Sequence, residues 1–118
     1  TIIRFSGLIG EDRLPGRFLA NKKELPNAEA PVNLIHRDDC IGLIQAVIIK
    51  NVWGEIINGS ADLHPARKEF YTKAAKNIGL TPPSFKKEAT IAYKIISNSK
   101  SKKLLGYTYK HPDPLKLI

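Results

Sequence analysis

The chain has 118 residues, 42% of them hydrophobic, which allows one domain or part of one and a modest core. No apolar run approaches the roughly 20 residues of a membrane-spanning helix, and the opening TIIRFSGLIG has neither the basic nor the apolar region of a signal peptide, so a cytoplasmic chain without membrane contact is expected. The formal charge of +8 is unevenly placed: residues 1–66 carry seven basic and eight acidic side chains, residues 67–118 twelve and three. Lysine dominates that second half with few aromatics between to stack on bases, so it reads as a solvated face, and nucleic acid is not expected as a partner. A basic module that binds nucleic acid or another polyanion is the rival reading.

In chain order, Thr1 to Phe5 is a short β-rich run, closed by a turn at Gly7-x-x-Gly10. Residues 11–30, with Pro15, Gly16 and Pro26, form a loop around one helical turn near Arg17 to Ala20. Val32 to Ile35 is a strand, and Asp38 or Asp39 can cap the helix that follows. In that helix Cys40, Ile41, Leu43, Ile44, Val47 and Ile48 cover more than one face, so it needs burial on two sides. Cys40, the only cysteine, reads as a small core residue. Gly54 to Asn58 is a further strand. Pro65 suits a first helical position, with Phe70, Ala74 and Ile78 on one stripe and Gly79 at the stop. After Thr81-Pro82-Pro83, Ile91 to Ile96 begins a third strand region. Ser97-Asn98-Ser99 then caps a lysine-rich helix that ends at Gly106. The alternation predicts an α/β chain with parallel pairing.

Chemical motifs are sparse. Gly7-Leu8-Ile9-Gly10 lacks the third glycine of a dinucleotide turn and runs into Glu11-Asp12, whose charges repel phosphate. For metal binding the available ligands are His36, Asp38, Asp39, His64 and His111. No two histidines share a helix at i, i+4, so no metal site is expected. His36 stands at a strand end just before a helix, where α/β proteins gather ligand groups, although a histidine bonded to the backbone or to Asp38 is the plainer reading. Arg4, Arg17 and Arg37 can grip phosphate or carboxylate, and Arg17, in the loop, is the first choice. The Asn33 amide points away from Val32 and Leu34, toward a ligand or a neighbouring backbone.

The stretches RFSGLIGEDRLPGRFL, PVNLIHRDDCIGLIQAVI, GEIINGSADLHPARKEFYTKAAKNIGLTPPSF and SNSKSKKLLGYTYKHPD together resemble the C-terminal half of an NAD-dependent epimerase/dehydratase, in the extended or atypical branch of the short-chain dehydrogenase/reductase superfamily. The resemblance implies the C-terminal portion of a Rossmann-like epimerase fold: the last sheet strands, Ile2 to Phe5 and Glu55 to Asn58, plus a small substrate-binding subdomain in which Val32 to Ile35 pairs with Lys94 to Ser97. It implies substrate-binding roles for Ser6, Arg17, Asn33 and His36, with Asp38 capping the helix. The substrate would be a nucleotide sugar or related small molecule. The family's glycine-rich turn and Tyr-x-x-x-Lys pair lie in its N-terminal half. Here Ala75, Ser97, His111 and Asp113 follow Tyr71, Tyr93, Tyr107 and Tyr109 at the lysine position. The resemblance therefore implies NAD or NADP in the full-length parent, and no catalytic or cofactor-binding residue in this chain. Its implied partners are the N-terminal Rossmann half and, through exposed sheet edges, further copies of itself. A non-catalytic NAD(P)-binding scaffold is the other reading of the parent.

Overall fold

The computed structural model describes residues 1–89 and 92–118. Strand β1 (Ile2–Phe5) pairs in parallel with β4 (Ile56–Gly59), Ile2 opposite Ile56 and Phe5 opposite Gly59. The branched isoleucines of both strands suit such a ladder. At Ser6 the chain changes sheet: the Ser6 N–H donates to Gly59 O at 2.9 Å and the Gly7 N–H to Asn33 O at 3.1 Å. Strand β2 (Gly7–Ile9) then pairs in parallel with β3 (Leu34–His36). The glycine turn expected at residues 7–10 is thus a strand, held by a partner that local composition does not reveal.

The pairing expected between residues 32–35 and 94–97 is replaced in a specific way. Asn33 Nδ2 donates to Lys94 O at 2.9 Å and Asn33 Oδ1 accepts from the Ile96 N–H at 2.8 Å. One side-chain amide thereby supplies the donor and acceptor of a strand neighbour, and residues 92–98 run alongside without regular structure. Ile91, where that strand was expected to begin, lies outside the described residues.

Helix α1 (Arg37–Ile49) is capped by His36, whose Nδ1 accepts the Asp38 N–H at 3.0 Å. The expected aspartate cap is therefore a histidine cap: a strand-end imidazole reaches the same orphan amide, and both aspartates are left for other bonds. Cys40, Leu43 and Val47 turn inward onto Ile35, Ile57, Leu105 and Tyr109. On the opposite side Ile41, Ile44 and Ile48 stay 48%, 45% and 59% exposed. The helix is apolar on two faces and covered on one.

Helix α2 (Arg67–Asn77) starts later than Pro65 because its first amides are taken by the loop: the Arg67 N–H donates to Ala30 O and the Lys68 N–H to Ala28 O. It buries Phe70, Tyr71, Ala74 and Ala75, and Gly79 follows it at φ +73°. The short 3-10 turn Pro15–Arg17, a little ahead of the expected helical turn, packs on this helix. Helix α3 (Ser99–Leu105) ends at Gly106, left-handed at φ +58°, as its sequence predicts.

Alternation along β3 sends Leu34 into a cluster with Ile9, Val32, Phe70 and Tyr71, and Ile35 into the α1 cluster. The two cores share this one strand. The molecule is accordingly a flat slab of 47 × 30 × 18 Å, and its radius of gyration of 15.5 Å exceeds the roughly 13.5 Å of a compact domain of this length. No helix among the described residues is long and apolar enough to cross a membrane.

The C-terminal tail is fastened by Asp39, which is fully buried and accepts from Tyr107 Oη at 2.7 Å, the Lys110 N–H at 2.7 Å and the His111 N–H at 3.0 Å. Tyr107 can reach Asp39 only because Gly42 has no side chain: a Cβ there would overlap the phenol. Gly42→Ala is expected to cost about 1–3 kcal/mol in urea unfolding, the usual range for overpacking. An unchanged midpoint would show that the tail moves aside freely.

Candidate substrate cleft

An open cleft of about 690 Å³ runs between the Ser6 crossover, residues 27–34 and the start of α2. It joins a recess of about 410 Å³ around Arg17 and Phe18, the two sharing Gly7, Leu8, Arg13, Leu34 and Tyr71. Arg13, Arg67 and Lys94 face the cleft and Arg17 faces the recess, while no aspartate or glutamate lines either. A groove lined by charges of one sign concentrates anions.

Two of its polar atoms lack partners. Ser6 Oγ and Arg67 Nε are buried and make no hydrogen bond. Ser60 Oγ, outside the cleft, is a third buried atom without a partner among the described residues, so what sets the cleft apart is its basic lining. Arg67 is held over the Tyr71 ring with its guanidinium carbon 5.9 Å from the centroid. Burial pushes the Tyr71 phenol above its ordinary pKa, against a smaller downward pull from Arg67, so its hydroxyl stays a donor at neutral pH. The Tyr71 ring in turn lies edge-on to Phe70, centroids 5.1 Å apart.

Of the residues singled out from sequence, Ser6 and Asn33 line the cleft and Arg17 the adjoining recess. The Asn33 amide is spent on Lys94 and Ile96, so it positions the Lys94 wall rather than offering free bonds. His36 lines a third hollow with Gly10 and Glu11 that shares Ile9, Leu14 and Pro15 with the recess, its ring tilted 43° to that of His111 with centroids 4.1 Å apart. Sequence reading missed Arg67 and Tyr71. One signal was present: Arg67 is the single arginine among the twelve basic residues of the C-terminal half.

Residues 7–12 do not form a dinucleotide-binding turn. Gly7 to Ile9 is a paired strand, not a loop opening onto a helix N-terminus, and Glu11 and Asp12 follow it.

The parallel strand pairs and crossover helix define an α/β chain matching the C-terminal part of Rossmann-like epimerase folds. Among curated proteins, Protein YeeZ of Escherichia coli strain K12 is 43% identical over 115 residues, which is 97% of this chain and 42% of that protein. Among solved structures, a functionally unknown conserved protein from Silicibacter pomeroyi superposes with a TM-score of 0.75 at 20% identity, over 97% of this chain and 45% of that one. A protein from Methylobacillus flagellatus, solved as an NAD-dependent epimerase/dehydratase, gives 0.72 at 25% identity, over 98% and 44%. No family model matches the chain. In sequence and fold the chain thus resembles the C-terminal part of NAD-dependent epimerase/dehydratase family proteins, and it spans less than half the length of the curated relatives it matches.

Proposed function

We propose that this chain is the substrate-binding, C-terminal part of an NAD(P)-dependent epimerase/dehydratase-like oxidoreductase, inactive alone, acting on a nucleotide sugar or a related anionic small molecule. The observation that carries the reading is the basic lining, Arg13, Arg67 and Lys94 in the cleft and Arg17 in the recess, with no acidic residue among the described residues that line either. In this assignment Arg67 and Arg13 hold the anionic group, Ser6 and Tyr71 supply hydroxyl bonds beside it, and Arg17 and Phe18 bound the recess. No residue here moves a proton or hydride. That chemistry belongs to a dinucleotide-binding N-terminal segment, whose sheet would continue β1–β4 and whose packing would cover Ile41, Ile44 and Ile48 of α1. The exposure of those side chains, together with the length of the YeeZ relatives, supports this division of labour.

The cleft's charge gives a direct test with the full-length protein. A nucleoside diphosphate such as UDP should bind at least about tenfold more tightly than uridine by calorimetry, because the difference is the phosphate that the arginines read. Equal affinity for the two would remove the anion-binding role.

A further inference from the structure

His36, Asp38 and His111 lie outside the substrate cleft and form a cluster that the proposed function does not use. One ligand atom from each falls within 4.8 Å of the others. Asp38 Oδ2 is central, 3.0 Å from His111 Nε2 and 3.5 Å from His36 Nδ1. We propose that these three residues form a binding site for a divalent transition cation of the zinc class, clipping the C-terminal tail to the start of α1.

The donor set is right for such an ion: two imidazole nitrogens and one carboxylate oxygen, from two chain segments, leave a fourth position for water. In a tetrahedral site with bonds of about 2.0–2.1 Å, neighbouring ligand atoms stand about 3.4 Å apart. The two separations at Asp38 already bracket that value, so only the two imidazoles have to approach each other. All three residues are partly buried, which limits competition from water without closing access.

Protonation and existing bonds fit the exchange. The His36 Nδ1 lone pair carries no proton, since it accepts the Asp38 N–H, and a cation taking it would displace that cap bond. A cation would displace the hydrogen bond between His111 and Asp38 and draw on the same two atoms, the Nε2 proton leaving to solvent or the ring passing to its Nδ1–H tautomer. The N-terminus of α1 disfavours positive charge, but Asp38 and the buried Asp39 both stand in its first turn and offset it. Arg37, the nearest fixed cation in sequence, is engaged by Asp12 at 3.3 Å. The site departs from the expectation read from spacing, because His111 reaches α1 only through the tail that Asp39 holds.

The test uses the full-length protein, stripped with chelator, and cobalt(II) and zinc(II) as probes. Cobalt should bind one to one with the intense visible absorption of a low-symmetry four-coordinate ion, zinc should displace it, and zinc should raise the thermal midpoint. His111→Ala and Asp38→Asn should each weaken binding by at least about tenfold, and His64→Ala, outside the cluster, should leave it unchanged. Should His111→Ala lose its far-ultraviolet circular dichroism, Asp38→Asn carries the comparison. No saturable binding, or binding untouched in both cluster variants, overturns the proposal. The outcome is independent of the UDP test, which reads a different cleft.

Discussion

Replacing Asp39 with alanine is expected to destabilise the protein by about 3 kcal/mol or more, the largest single effect in this chain. The carboxylate is fully buried and accepts three bonds, one from the Tyr107 hydroxyl and two from backbone N–H groups of the tail. Hydrogen bonds to a charged group contribute about 1.5–3 kcal/mol each, and removing the acceptor also strands three part-buried donors. Burial and the bond to Asp39 push the Tyr107 phenol far above its ordinary pKa, so Tyr107 is a donor throughout the neutral range and cannot compensate by ionising. Asp39→Asn keeps the size and one acceptor oxygen and should lose less. Urea unfolding of both variants in the full-length protein checks the order; a loss below about 1 kcal/mol for alanine would mean that the tail is held elsewhere.

The second large effect is on binding. Arg67→Ala should weaken UDP at least about tenfold, and up to about a hundredfold, since a charge-assisted bond to phosphate lies in the range of about 1.5–3 kcal/mol. Stability should fall less, because Arg67 makes no ion pair among the described residues and its fixed contact is the stack on Tyr71. Arg67→Lys should recover only part of the affinity: an ammonium carries the charge but neither the planar fork nor a donor at the position of Nε. Full recovery by lysine would show that the cleft uses charge alone, and an unchanged alanine variant would place the anion away from α2.

Much of the frame was legible because it rests on local signals. Gly79 and Gly106 stop their helices where left-handed backbone is needed, and the isoleucine runs of β1 and β4 read as strands and fall in one sheet. What escaped depends on residues brought from far along the chain. Gly7 to Ile9 looks like a turn until Leu34 to His36 arrives beside it, and Asn33 stands in for a strand partner in a way that no periodicity records. Asp39 and Asp38 are neighbours in sequence with equal claim to cap α1. Only the fold shows His36 taking that role, Asp39 turned to the tail and Asp38 facing His111. The candidate cleft was half visible for the same reason: Arg17 sits in a loop that looks ligand-facing and Ser6 follows from the resemblance, while Arg67 and Tyr71 belong to a helix whose sequence speaks of packing.

Calorimetry with NADH on two samples, this 118-residue chain and the full-length protein, probes the division of labour most directly. The full-length protein should bind NADH saturably while the chain by itself, under the same conditions, gives no saturable heat. Micromolar binding of NADH by the isolated chain would contradict the account, because the nucleotide would then be held by the residues described above.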